Sequence, residues 1–149
     1  MTYSNDWNGE LELGVFSAQI LTTEEIDEQY IDEKAYRFWR DEALSDRFLV
    51  CDISLKNISA QTLELDNRGN ETFNIGFLLL SETGNPPLLF QDSNNKEQKD
   101  YYRFSLPIGE KRDFTVIYDL PAEYSQDDMY LQVGGMYKQG LYFIKLNIE

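Results

Sequence analysis

The chain has 149 residues, 42% of them hydrophobic and 14% aromatic, with 27 acidic against 13 basic side chains and a net charge of -14. That is enough chain for one well-filled core and short for two, and its negative field repels phosphate backbones and anionic lipid surfaces, which argues against nucleic-acid and membrane-surface binding. With no histidine and a single cysteine, Cys51, the chain cannot assemble Ser-His-Asp or Cys-His nucleophiles, an internal disulfide, or zinc sites of the usual His/Cys type.

In chain order, Glu10 to Leu21 (ELELGVFSAQIL) reads as the first long strand. Leu11 and Leu13 share one phase, and Phe16, Ala18 and Ile20 share the other, so the alternation slips near Gly14 and Val15. A slip of that kind predicts a β-bulge, and a bend that would let the strand leave one sheet for the other. Residues 22–46 are the least strand-like part of the chain. Thr22 with Glu25 fits a capping box, and Glu24, Glu25, Asp27 and Glu28 occupy what would be a first helical turn, where the helix dipole favours negative charge. Ile31, Ala35, Phe38 and Trp39 follow at helical spacing, which predicts one inserted helix. Its apolar stripe serves either a partner or the protein's own core, where it would cap an open end; packing is the commoner use of such a stripe.

Arg47 to Asn57 (RFLVCDISLKN) carries the clearest strand signal: Leu49, Cys51, Ile53 and Leu55 fall on one face, Asp52, Ser54 and Lys56 on the other. Mid-strand on the apolar face, Cys51 reads as a small core hydrophobe. A polar turn leads to a short strand over Thr62 to Leu65, with Leu63 and Leu65 aligned. The segment Asp66 to Glu71 (DNRGNE) has alternating oxygen side chains and a glycine, part of a calcium loop but not its full ligand series, so it reads first as a turn. Thr72 to Leu80 is a second central strand, with Phe73, Ile75, Phe77 and Leu79 inward.

Pro86 and Pro87 precede a brief edge strand at Leu88 to Phe90. Gln91 to Asp100 is polar, and Asp92, Asn94, Asn95, Glu97 and Asp100 would offer a cation oxygen ligands only if that loop folded back on itself. Tyr101 to Leu106 and Lys111 to Asp119 alternate on either side of Pro107-Ile108-Gly109-Glu110 and read as a hairpin. Met129 to Val133 is next, Gly134 and Gly135 are expected to turn the chain, and Leu141 to Ile148 closes it with Tyr142, Ile144, Leu146 and Ile148 inward. Many short strands, no strand-helix-strand alternation, no repeat and no linker together predict an all-β antiparallel β-sandwich, one domain over 1–149, with one helical insertion at about 22–46.

FLVCDISLKNIS, an apolar strand after a polar loop, LPIGEKRDFTVIYDLP and a late MYLQV together resemble the immunoglobulin-like domains of unknown function found in bacterial lipoproteins and cell-surface proteins, chiefly of Gram-positive species. In that family a long strand ends in Asn, matched by Asn57, and a Gly-Glu turn precedes a strand closed by Pro, matched by Gly109, Glu110 and Pro121. The resemblance spans about residues 47–133 and implies an immunoglobulin-like sandwich of about seven to nine strands in a cell-envelope setting, with no catalytic residues to transfer. The acidic insertion and the lack of a lipidation signal depart from the family pattern.

These features favour a non-catalytic binding domain of the bacterial envelope with a protein or glycan partner and no cofactor. Its candidate contact residues are aromatics expected to be exposed near loops: Trp39, Tyr101, Tyr124, Tyr137 and Trp7. Two alternatives stand beside it: a carbohydrate-binding module, which a planar row of exposed aromatics on one sheet would favour, and an intracellular acidic protein that binds a basic one. Chance pairs among 27 carboxylates do not make an enzyme. The opening MTYSNDWNGE lacks the basic segment and apolar run of a signal peptide, and no apolar stretch approaches the roughly 20 residues that span a bilayer. The expected setting is therefore extracellular or cell envelope if a leader has been removed, and cytoplasmic otherwise.

Overall fold

A computed structural model describes residues 7–30, 40, 43–93, 103–124, 127–135 and 142–148. Its centre is β3 (Arg47–Asn57), which pairs antiparallel with β2 (Leu11–Thr22) on one side and β8 (Lys111–Asp119) on the other. β6 (Leu88–Ser93) joins the far side of β8 and closes a four-stranded sheet of order β2-β3-β8-β6. The facing sheet runs β10 (Tyr142–Lys145), β9 (Met129–Gly135), β5 (Thr72–Ser81), β7 (Arg103–Ser105). A two-residue ribbon of β1 (Trp7–Asn8) and β4 (Gln61–Thr62) sits beside them. The order β2-β3-β8-β6 against β10-β9-β5 is that of constant-type immunoglobulin sandwiches, with β7 added at the edge beside β5.

The core follows the alternation. Leu49, Cys51, Ile53 and Leu55 from β3 share one core with Phe73, Ile75, Phe77 and Leu79 from β5 in the facing sheet, together with Phe114 and Val116 from β8 and Leu131 and Val133 from β9. An aromatic chain runs through it: Phe77 to Phe114 at 5.1 Å, Phe114 to Phe104 at 5.2 Å and Phe104 to Phe73 at 6.3 Å between ring centroids. Buried polar groups tie the layers together. Tyr118 on β8 donates its hydroxyl to the Phe77 carbonyl on β5 (3.0 Å), and Arg112 on β8 donates to the Ser105 carbonyl on β7 (2.9 Å) while lying 5.1 Å from the Phe104 ring centroid.

Several expectations change once the chain is folded. The bulge falls between Val15 and Ser17, so Phe16 points to solvent, 64% exposed, and does not share the inward row of Ala18. β2 nevertheless keeps pairing with β3 from Leu11 to Thr22 and does not change sheets. Tyr101 to Leu106 and Lys111 to Asp119 are not a hairpin: β7 pairs with β5 and β8 with β3, so Pro107 to Glu110 carries the chain from one layer to the other. Gly134 and Gly135 do not turn the chain but lie in β9, opposite Gly76 and Ile75. Of the expected 62–65 strand only Thr62 lies in a strand, β4, and Leu63 and Leu65 are exposed.

β3 is also buried on its second face near Arg47. There Phe48 and Val50 pack with Leu21, Phe90, Ile117 and Ile26, the last from helix α1 (Thr23–Tyr30). The capping box is present: the Thr22 amide and hydroxyl donate to a Glu25 carboxylate oxygen (3.2 and 3.0 Å), and the Glu25 amide donates back to Thr22 Oγ1 (3.3 Å). The described part of the insertion therefore covers the outer face of a sheet and does not cap an open end of the core. Ile31, Ala35, Phe38 and Trp39 lie outside the described residues.

Where β3 ends, the fully buried Asn57 side chain uses both ends of its amide. Nδ2 donates to the carbonyls of Ala60 (3.0 Å) and Leu106 (2.9 Å), and Oδ1 accepts the Ala60 amide (2.7 Å). Asn57→Leu would strand these backbone groups in a dry site, so we expect a loss of about 3 kcal/mol, read as a lower urea midpoint at unchanged m-value. Gly9 is a second check. Its φ is 103°, and a Cβ there would lie 2.2 Å from the Ser59 carbonyl oxygen, whereas Gly69, at φ 79°, has open space around it. Gly69→Ala meets only the left-handed backbone penalty of roughly 1 kcal/mol. Gly9→Ala adds a backbone collision and should lower the melting temperature well beyond that.

Candidate interaction surface

The five aromatics expected at the surface separate on folding. Tyr124, in a 3-10 turn over Ala122–Tyr124 between β8 and β9, is turned inward and buried in the main core. A Cβ on Gly84 would sit 3.2 Å from its hydroxyl. Trp7 is half-buried and meets the Phe73 ring edge-on, with centroids 5.8 Å apart and planes at 74°. Both were expected to be exposed; both pack instead, because each joins the aromatic or aliphatic filling of the sandwich. Trp39, Tyr101 and Tyr137 lie outside the described residues.

Exposed apolar surface gathers elsewhere. Eight large hydrophobic side chains are exposed among the described residues, and four of them, Ile58, Leu63, Leu65 and Ile108, belong to the connections at the Asn57 end. Leu63 is 91% exposed and Leu65 53%. The other four are scattered over Phe16, Leu44, Leu78 and Tyr130.

The connections that hold these four aliphatics are tightly braced. The Gly109 amide donates to the Asn57 carbonyl (2.7 Å) and the Asn57 amide to that of Glu110 (3.0 Å), which fixes Ile58 and Ile108 on adjoining strands of chain. The Ile58 and Ser59 amides both donate to the Glu10 carbonyl at 3.1 Å. Leu65 bridges to Glu71, the Thr72 amide donates to the Glu64 carbonyl (3.1 Å), and the Leu106 amide to that of Glu71 (2.8 Å). Glu71 also accepts the Thr62 amide and hydroxyl (2.5 and 3.1 Å). Asp66 nucleates the turn: one carboxylate oxygen accepts the amides of Arg68 (2.8 Å) and Asn70 (2.9 Å), and the other accepts the Ser105 hydroxyl (2.7 Å).

A family model described as a domain of unknown function (DUF5027) matches residues 7–148. The chain belongs to that family. No curated protein and no solved structure matches it.

At the opposite end of this DUF5027 sandwich the root of the insertion is pinned. The buried carboxylate of Asp119, the last residue of β8, accepts the amides of Leu44 (2.7 Å) and Ser45 (3.2 Å) and the Ser45 hydroxyl. The Thr23 amide donates to the Asp46 carbonyl (3.1 Å), closing the base of the insertion. Arg40 pairs with Asp27 at 3.2 Å and lies 5.4 Å from the Phe48 ring centroid. On the outer face of β2-β3-β8, Asp52 accepts the hydroxyls of Ser17 (3.0 Å) and Thr115 (2.9 Å).

The ionisable groups describe scaffold chemistry. Burial, then the neighbouring Asp52 charge, pushes the Cys51 thiol up to about 12. Among the described residues no three Asp, Glu or Cys side chains cluster to hold a metal, and no helix is long and apolar enough to cross a membrane. The calcium reading of Asp66 to Glu71 meets a specific obstacle, since the Asp66 oxygens are occupied by donors of its own turn and of Ser105. The polar stretch 94–100 lies outside the described residues.

Two outcomes follow. At neutral pH the folded protein should not react with thiol reagents at Cys51, and a fast stoichiometric reaction without denaturant would contradict the burial described. Asp66 has its pKa lowered from 3.8 to about 2, first by the Asn70 amide and then by the Ser105 hydroxyl. Its contribution to stability is therefore present above about pH 4 and is lost as the pH falls toward 2. Asp66→Asn should flatten that limb of the stability-pH curve, measured by chemical denaturation at stepped pH.

Proposed function

We propose that this protein is a non-catalytic binding domain that presents the Asn57 end of its sandwich to a partner, in the manner of an immunoglobulin-like module of the bacterial cell envelope. The observation that carries the reading is the exposure of Leu63, Leu65, Ile108 and Ile58 on connections braced by backbone hydrogen bonds and by the Asp66 and Glu71 carboxylates. Apolar side chains kept in water on a braced support, rather than folded into the adjacent core, fit a contact surface whose ordering cost is met before binding. The strand order supports the immunoglobulin-like part of the reading, and the pattern from Asn57 to Pro121 supports the envelope setting. Fold alone carries no function, so the reading rests on the loops.

A glycan-stacking reading draws less support. Phe16 and Tyr130, the exposed aromatics among the residues whose side chains are described, belong to β2 and β9 in different sheets and do not stand in one row.

The test is site-specific photo-crosslinking in the native cells with a reactive side chain at position 63, and at position 17 on β2 as control. We expect a discrete adduct from 63 and none from 17, recovered with the envelope fraction. Equal or absent crosslinking at the two positions would sink the assignment of this end as the contact surface, and an adduct recovered only from the cytosol would remove the envelope setting.

A further inference from the structure

The charges around the same four aliphatics point to the chemistry of the partner, an inference that rests on the reading above. Segments 8–10, 57–71 and 106–111 build the Asn57 end. They contain Glu10, Glu64, Asp66, Glu71 and Glu110 against Arg68 and Lys111, five carboxylates against two cations. Of the two cations, Lys111 has a carboxylate of its own strand at 3.7 Å, Asp113. The segments that bear the apolar side chains thus carry net negative charge, with Lys56 at their border opposite Glu12 and Lys111, on a protein whose total is -14.

We infer that this surface takes a polypeptide segment of another protein carrying aliphatic side chains interleaved with lysine or arginine. The aliphatic residues would cover Leu63, Leu65, Ile108 and Ile58, and the cations would meet the carboxylates of the rim. Opposite charge at the rim steers encounter and excludes wrong partners, while the desolvated apolar centre supplies the affinity. A second copy of this chain fits poorly, because the two negative rims would face each other at contact distance, inside the roughly 8 Å over which physiological salt leaves charges unscreened. Nucleic acid and anionic lipid meet the same repulsion.

The experiment titrates the full chain with three synthetic peptides: alternating Leu and Lys, the same peptide with Ser for Lys, and the same with Ser for Leu. Backbone amide shifts report the location, and the titration is repeated at low and high salt. The protein variant is Leu63→Ser with Leu65→Ser, which removes two exposed side chains and leaves the core intact. We expect the Leu-Lys peptide to move amides within 57–71 and 106–111, to weaken with salt, and to lose about tenfold in affinity with the variant, the equivalent of 1.4 kcal/mol.

If the Leu-Ser peptide binds equally well at these amides, the contact surface stands and the basic partner is overturned. Equal binding by the Lys-Ser peptide, unchanged in the variant, reduces the effect to diffuse charge attraction and overturns the inference. A concentration-dependent dimer abolished by the variant replaces the basic partner with a second copy. Absence of binding by all three peptides also overturns the inference, and crosslinking at position 63 then decides separately whether the surface binds anything.

Discussion

One buried amide organises one end of this fold. β3 is the central strand, and where it stops the chain must supply hydrogen bonds to backbone that no longer has a ladder. Asn57 does this with a single side chain, accepting from Ala60 and donating to Ala60 and Leu106. The Leu106 bond reaches chain that has just left β7, in the other sheet. Asn57 therefore sets the height at which the crossover passes from one layer to the next, and with it the start of β8. A side chain of similar volume without the amide would fill the space and leave the carbonyls unpaired, which is the more costly fault in a dry interior.

The same economy appears in the other buried polar groups. Asp119, Tyr118 and Arg112 all lie on β8, the strand that touches β3 and β6 within its sheet and β5 or β7 across the core. Each binds backbone of a different neighbour: the root of the insertion, β5 and β7 respectively. Burial raises the Tyr118 hydroxyl well above its usual pKa and lowers that of the Arg112 guanidinium. These groups are held as geometry, with the Tyr118 proton committed to the Phe77 carbonyl. They give a hydrophobic core, which is tolerant of sliding, one registered arrangement of its two sheets.

This bracing bears on the apolar end. Loops that present aliphatic side chains to water are a liability unless their backbone is fixed, since a loose apolar loop collapses onto the nearest core or onto another molecule. Here the Asp66 turn, the Glu71 contacts to Thr62 and the Asn57 amide leave little conformational freedom to lose on binding. Family membership adds no chemistry to this picture.

What could be read in the chain beforehand was whatever is decided within a few residues. The alternation of Leu49, Cys51, Ile53 and Leu55, the slip in phase before Ala18, the Thr22-Glu25 capping box and the proline-guarded edge at Leu88 each depend on neighbours in sequence, and each is present. Which apolar side chains stay exposed was not legible. Tyr124 and Trp7 had the right composition for an interface but pack inward, and Leu63 and Leu65 had the alternation of a strand but stand in water. The Pro107 to Glu110 turn looked like a hairpin because turn residues specify a change of direction, not the strand to which the chain returns. Which sheet receives β7, where β3 is covered on both faces and which leucines stay exposed are settled by pairings between residues far apart in sequence. Period-two patterning determined that this chain forms strands; only packing of one sheet on the other decided which apolar side chains would be left outside.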